Sequence, residues 1–322
     1  MYKVYDQWPE IAEKSFKHNY KSVDFGNVKH IVFAGMGGSG AIGDLFESIL
    51  AKSKIHINVV KGYRLPETVD SKSLVIVISV SGNTDETFTI LKSAHKIGSR
   101  IIAFSSGGKI QKYCKKNCIE YRNIPEYNSP RASFTSYLYS ILKVLHTTLE
   151  IKEKDILESI LDMKKISKKI NSKNLNKENP SLMLAKFLKN IPIIYYPFGL
   201  KATAIRFKNS IQENCKIHAM IENVVETCHN GVVSWEKKSN IQPILIQGED
   251  DFIKTKERWK IINEFFHNNK IEYFEVKSIK GSILSKIINL IYVLDFSTIY
   301  FAAILKTDPT PVESIDFIKS KL

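Results

Sequence analysis

Three hydroxyls fall within six residues in the run Ser79-Val80-Ser81-Gly82-Asn83-Thr84, directly after the apolar stretch 74–78 and just before Asp85 and Glu86. Hydroxyls gathered where a helix begins can hold an anion, because the first turn of a helix offers unpaired amides and a partial positive charge; a phosphate bound this way needs no lysine. A Ser/Thr helix cap followed by acidic residues explains the same letters locally. A cap uses only one hydroxyl, however, and three at this spacing favour the anion.

A second candidate lies upstream. In Ala34-Gly35-Met36-Gly37-Gly38-Ser39-Gly40, glycines 35, 37 and 40 satisfy GxGxxG between an apolar run and a helical pattern, the context that a dinucleotide site requires. An NAD site also needs an acid about 20 residues on, at the end of the next strand. That strand ends in Val60-Lys61-Gly62, which offers no carboxylate, although a lysine suits a 2′-phosphate. A tight strand-to-helix turn without ligand is the other reading.

Both loops are punctuation in a regular alternation. HIVFAG, INVVKG, LVIVIS, RIIAFS and IEYRNIP read as short strands, with helices from Ala41 and from about Asp85 between them. Apolar runs of four to six residues without strict alternation indicate strands buried on both faces, hence a parallel sheet flanked by helices, an α/β doubly wound unit. Phe134, Tyr137, Leu138, Ile141, Leu142 and Leu145 follow helical spacing and close this unit. The alternation resumes at IPIIYYPFG, with a helix across KATAIRFKNSIQEN, a strand near KIHAMI, PILIQG, a helix over KERWKIINEFFHNN, IEYFEVKS and a long final helix. The expected division is a first unit at 1–150 with a short leading helix, a helical linker at 151–188 and a second, similar unit at 189–322. Ligands are expected at the carboxyl ends of the strands.

Composition narrows the field. A chain of 322 residues with 43% hydrophobic content is long for a single core, which supports two units. The net charge of +14 would suit nucleic acid, an anionic membrane or acidic small molecules. Ten of the lysines, however, fall between Ile151 and Asn190 with five acids among them, a solvated pattern and not a basic surface interleaved with aromatics, so nucleic acid is not the expected partner. The most apolar segment, from Ile287, contains Asn289 and Asp295; an aspartate there costs a bilayer helix on the order of 3 kcal/mol. A buried core helix is expected, not a membrane span. The N-terminus MYKVYDQWPE lacks the apolar core of a signal peptide. Cys114, Cys118, Cys215 and Cys228 form no CxxC and no zinc-finger spacing, so reduced thiols and a cytoplasmic location are expected.

Taken together, GMGGSG, SVSGNTDET and PRASFTSYL resemble the sugar isomerase (SIS) domain proteins. AIRFKNSIQENCK, ETCHN and the closing KTDPTPVESIDFIKSKL make the chain similar to the bifunctional phosphoglucose/phosphomannose isomerases typical of archaea. The resemblance implies two SIS-type domains, flavodoxin-like in winding. It implies that Ser79, Ser81 and Thr84 grip a substrate phosphate and that Gly38 and Ser39 line the sugar site. It assigns Glu213 as the base, Arg131 as the partner of the enediolate, and His229 with Lys319 as the ring-opening pair. The implied reaction is aldose–ketose isomerisation of glucose 6-phosphate, and of mannose 6-phosphate, to fructose 6-phosphate through a cis-enediolate, with no cofactor and no metal. A homodimer with shared active sites is implied as well, because in the family the histidine reaches its site from the partner subunit.

Two letters depart from the family pattern. Val80 stands in SVSGNT where SYSGNT is common, and Gly231 follows His229-Asn230 where NHNE is common. The first touches packing; the second touches how His229 is oriented. A non-catalytic sugar-phosphate-binding SIS module is the alternative to the enzyme, and an NADP-linked oxidoreductase built on the glycine loop is a third reading.

Overall fold

The computed structural model describes residues 1–321. Along the chain the strands are β1 (His30–Ala34), β2 (His56–Val60), β3 (Leu74–Ser79), β4 (Arg100–Ser105), β5 (Glu120–Asn123), β6 (Ile191–Tyr196), β7 (Met220–Asn223), β8 (Ile241–Gln247) and β9 (Phe274–Lys277). The helices are α1 (Tyr2–Asp6), α2 (Trp8–Lys17), α3 (Gly37–Ile49), α4 (Asp85–Ile97), α5 (Gly108–Lys116), α6 (Phe134–Leu145), α7 (Glu153–Ile170), α8 (Pro180–Phe187), α9 (Lys201–Ser210), α10 (Val224–Thr227), α11 (Ile253–Asn268), α12 (Ile283–Ile304) and α13 (Glu313–Lys321). The chain divides into an N-terminal unit, Asp6–Lys164 with Ser282–Ser285, and a C-terminal unit, Met1–Tyr5, Lys165–Gly281 and Lys286 onward.

The N-terminal unit is built on a five-stranded sheet of order β2-β1-β3-β4-β5, every neighbouring pair parallel. β3 is central and all six of its residues are buried, as an uninterrupted LVIVIS requires. The strand order reverses between β1 and β3, so their carboxyl ends diverge and open a crevice. The leading helix α2 is closed over the core by Trp8, whose ring is fully buried and whose Nε1 donates to the Ala132 carbonyl at 3.0 Å. α7, the core of the lysine-rich segment, has a buried face: Ile156, Ile160 and Met163 lie inside, and Ser159 shares a 2.7 Å hydrogen bond with the Tyr139 hydroxyl.

The glycine run folds differently from the sequence reading. Helix α3 begins at Gly37, not Ala41, so three glycines occupy its first turn despite their low helix propensity. The reason is closeness: a Cβ on Gly40 would lie 2.8 Å from the Gly35 carbonyl oxygen, and one on Gly43 would lie 2.9 Å from Val59 and 3.0 Å from Phe33. The glycines let the helix settle directly on the sheet, and that contact outweighs propensity.

The C-terminal unit carries a second parallel sheet, order β7-β6-β8-β9. Its longest helix, α12, is apolar and long enough to cross a membrane, yet 89% of its apolar window is buried inside the protein, the behaviour of a core helix. Asp295 in its middle is fully buried and accepts from Arg206 Nε at 2.9 Å and Nη2 at 2.7 Å, and from Ser210 Oγ at 2.6 Å. Beyond α12, residues 313–321 form α13, a helix that the sequence reading left unassigned, with no buried residue.

Candidate active site

The hydroxyl loop follows β3 and leads into α4, at the crevice between β1 and β3. Thr84 holds the N-cap position, but its hydroxyl makes no cap hydrogen bond; it turns instead to Ser79 Oγ at 3.0 Å. The local capping explanation of these hydroxyls is therefore not the one realised, and the amides of the first turn of α4 receive no side-chain cap. Ser79 is buried and shapes the loop: it also accepts from the Gly82 amide at 3.1 Å. Ser81 is exposed and receives the Asn83 amide at 3.3 Å. Gly82 has φ of +67°, and a Cβ there would collide with the Gly107 carbonyl, so the two loops cross backbone to backbone. The Ile110 amide donates to the Gly82 carbonyl at 3.0 Å and the Lys109 amide to Asn83 Oδ1 at 3.0 Å, which braces the loop from the start of α5. Gly82 is thus required for this crossing, and its amide is engaged rather than bare.

Val80, the first departure, is buried, and its carbonyl accepts from the Ser106 amide at 3.0 Å, Ser106 Oγ at 2.7 Å and the Tyr137 hydroxyl at 3.3 Å. It lies just past the end of β3 and is buried, whereas Ser81 beside it is exposed. The substitution leaves the hydroxyl face intact.

Across the crevice, Ser39 lies in the first turn of α3 and is 5% exposed. A Cβ on Gly38 would lie 3.4 Å from the Pro130 carbonyl and 3.5 Å from the Arg131 Cα. The glycine loop and the turn carrying Arg131, itself 3% exposed, are thereby in contact. The dinucleotide reading loses its one positive feature here: Lys61 Nζ donates to both oxygens of Asp44, at 2.7 and 2.6 Å, and Asp44 is buried. The lysine that would meet a 2′-phosphate is held by an acid of α3.

In the C-terminal unit, Glu213 is half-buried on a single π-turn, Ile211–Cys215, that continues α9. This turn precedes the amino end of β7, whereas His229 follows its carboxyl end, exposed after the short α10. The strand between them spans about 13 Å at 3.3 Å per residue over its four residues. Lys319 is exposed on α13, while the neighbouring Lys321 lies over the Phe317 ring at 5.8 Å to its centroid.

Gly231, the second departure, has a neighbour that sequence reasoning missed. A Cβ there would lie 2.5 and 2.7 Å from the two carboxylate oxygens of Glu222. The half-buried carboxylate of Glu222, reaching over from β7, fills the volume beside the His229 loop that a side chain at 231 would take. The loop itself is tied down by Asn230, whose Nδ2 donates to Glu226 Oε1 at 2.8 Å. No sequence signal points to Glu222, because eight residues and a helix separate it from Gly231.

A five-stranded parallel sheet with a glycine turn and a hydroxyl turn at its switch point, followed by a second parallel unit, defines a sugar isomerase domain protein. Residues 24–149 match the SIS domain family, and residues 177–322 match the family described as bacterial phospho-glucose isomerase C-terminal SIS domain. The chain belongs to the bifunctional phosphoglucose/phosphomannose isomerase family: it is 31% identical to the protein of that name from Caldicellulosiruptor bescii, covering 98% of this chain and 96% of the relative. The Aquifex aeolicus protein of the same name is 28% identical over 98% of this chain and 94% of its own length. Among solved structures, the C-terminal domain of glucosamine-fructose-6-phosphate aminotransferase from Francisella tularensis superposes with a TM-score of 0.72 at 16% identity, covering 95% of this chain and 96% of that one, a likeness of fold.

Proposed function

We propose that this chain interconverts glucose 6-phosphate and mannose 6-phosphate with fructose 6-phosphate by metal-independent proton transfer through a cis-enediolate. The observation that carries the reading is the Thr84 hydroxyl turned from its own helix toward Ser79, at the switch point and beside the glycine loop. This arrangement suits a phosphate dianion better than a capped helix does. Ser81, Thr84 and the first-turn amides of α4 would hold the phosphate, with Ser79 fixing the loop; Gly38 and Ser39 would line the sugar.

Chemistry then needs one base and one cation. The Glu213 carboxylate takes the proton from C2 of the open-chain aldose as the C1 carbonyl pair moves onto O1 to give the enediolate; the O2 proton passes to O1, and the same carboxylate returns its proton to C1 as the pair on O2 forms the C2 carbonyl. Arg131 stabilises the negative oxygen, and its burial strengthens that interaction. His229 and Lys319 exchange protons with the ring oxygen and the anomeric hydroxyl to open the ring. A single carboxylate suffices for both proton steps, so neither metal nor cofactor is invoked. The reading also includes a homodimer in which His229 serves the partner's site, as the family resemblance implies, and light scattering showing a fully active monomer would contradict it. The same reading places the enzyme in the cytoplasm, where its four unpaired cysteines stay reduced.

The phosphate assignment has its own test. Thr84→Val and Ser81→Ala should each raise KM for fructose 6-phosphate about 10-fold, as loss of a hydrogen bond to a charged group costs roughly 1.5 to 3 kcal/mol, with kcat falling less. Steady-state kinetics that leave KM unchanged in both variants would remove the phosphate from this loop.

A further inference from the structure

The turn that carries Glu213 is held by a set of buried polar contacts. A π-turn interrupts the regular helical ladder and persists only where surrounding structure holds it. Here the ties come from α12, more than 80 residues away. On the amino side, Ser210 Oγ donates at 2.6 Å to the same Asp295 carboxylate that receives Arg206, both partners of that ion pair being almost fully buried. On the carboxyl side, Asn214 Nδ2 donates to Thr298 Oγ1 at 2.8 Å, and Thr298 Oγ1 in turn donates to the Asp295 carbonyl at 2.7 Å. Next to the turn, Lys216 adopts the left-handed conformation, φ +60°, and its Nζ donates to the carbonyl of Glu213 at 2.5 Å and to the Pro311 carbonyl at 2.7 Å.

Burying an ion pair and an amide in an otherwise apolar helix packing is an inefficient way to gain stability, since well-packed apolar side chains of similar volume do as well or better. Such networks do fix one geometry where apolar packing would tolerate several. Ser210 and Asn214 lie three residues before and one residue after Glu213, and both are anchored to one face of α12. Between them Ile211 is buried, Gln212 is exposed and Glu213 is half-buried.

We infer that the Asp295 cluster and the Asn214–Thr298 bond are positioning groups for the Glu213 carboxylate: they lock the π-turn against α12 so that the base reaches C1 and C2 of one bound intermediate. The inference rests on the assignment of Glu213 as the base. Misplacing that carboxylate lowers the rate of proton transfer, since an error on the order of 1 Å at a reacting group costs up to about 10²-fold. It also gives the abstracted proton more time to exchange with solvent before it is returned.

The test uses the full chain and the near-isosteric Thr298→Val, with Thr298→Ser as the conservative partner that keeps the hydroxyl. In deuterated buffer with fructose 6-phosphate, Thr298→Val is expected to lose at least about 10-fold in kcat with KM within twofold, and to raise the fraction of solvent-derived deuterium in product at least twofold. Thr298→Ser should stay within twofold of the parent on all three. A variant that merely leaves part of the protein unfolded would lower kcat without changing the deuterium fraction. If Thr298→Val fails to fold, Ser210→Ala is measured in the same way with the same expectation. Unchanged kcat and unchanged deuterium fraction in a folded variant, with Glu213→Gln inactive, would overturn the positioning role alone; an active Glu213→Gln would overturn the base and the positioning role together.

Discussion

Glu213→Gln is expected to lower kcat for fructose 6-phosphate isomerisation by about 10³-fold or more while leaving the fold intact. General acid–base groups contribute roughly 10² to 10⁴ in rate, and in the proposed mechanism a single carboxylate serves both proton transfers, so its loss is felt twice in each turnover. The amide has the same shape and keeps its place on the π-turn, but it cannot accept the C1 proton of fructose 6-phosphate. Glu213 is half-buried at the end of α9 and outside the core, so the thermal midpoint should move little. KM should also change little, because the phosphate is proposed to be held by a different loop. Steady-state assay with glucose 6-phosphate dehydrogenase as the coupling enzyme reads the kcat effect directly.

The second large effect is on stability. Asp295→Ala should destabilise the protein by about 3 to 5 kcal/mol, because it leaves the Arg206 guanidinium, 2% exposed, without its buried counter-charge. That is a large part of the 5 to 15 kcal/mol that holds a typical domain together. Burial pushes the Asp295 carboxyl above its usual range, against the opposing pull of the Arg206 charge and of the hydrogen bonds from Arg206 and Ser210. Replacing both partners, Arg206→Met with Asp295→Leu, should recover most of the loss. Urea denaturation separates the two: a single-variant cost under about 1 kcal/mol would mean that the pair is solvated in a way its burial does not allow.

The sequence shows the N-terminal sheet plainly, because strands buried on both faces must be written as continuous apolar runs, and Leu74–Ser79 is fully buried along its length. The hydroxyl loop is equally visible, since its residue types are unusual after such a strand. Other features depend on contacts between distant parts of the chain. The start of α3 at Gly37 follows from the closeness of its glycines to β1 and β2, which no propensity scale contains. KNSIQENCK reads as plain helix; its π-turn is imposed by α12 and carries no local signature. Asp295 is conspicuous in its apolar helix and argues against a membrane span, but its partner Arg206 is 89 positions away and could not be chosen from among 47 basic residues. The Glu222 carboxylate beside Gly231 is hidden for the same reason: the pattern displays the missing acid, and only the fold displays what fills its space.

The central claim is that one carboxylate moves a proton between adjacent carbons of a hexose 6-phosphate without a metal. Its most direct test is incubation of the purified, chelator-treated protein with fructose 6-phosphate, with glucose 6-phosphate and mannose 6-phosphate quantified separately over time. Both aldose phosphates are expected to appear at rates that the chelator leaves unchanged. Tight binding of fructose 6-phosphate with neither product formed, or turnover that vanishes on chelation and returns with added metal, would contradict the account.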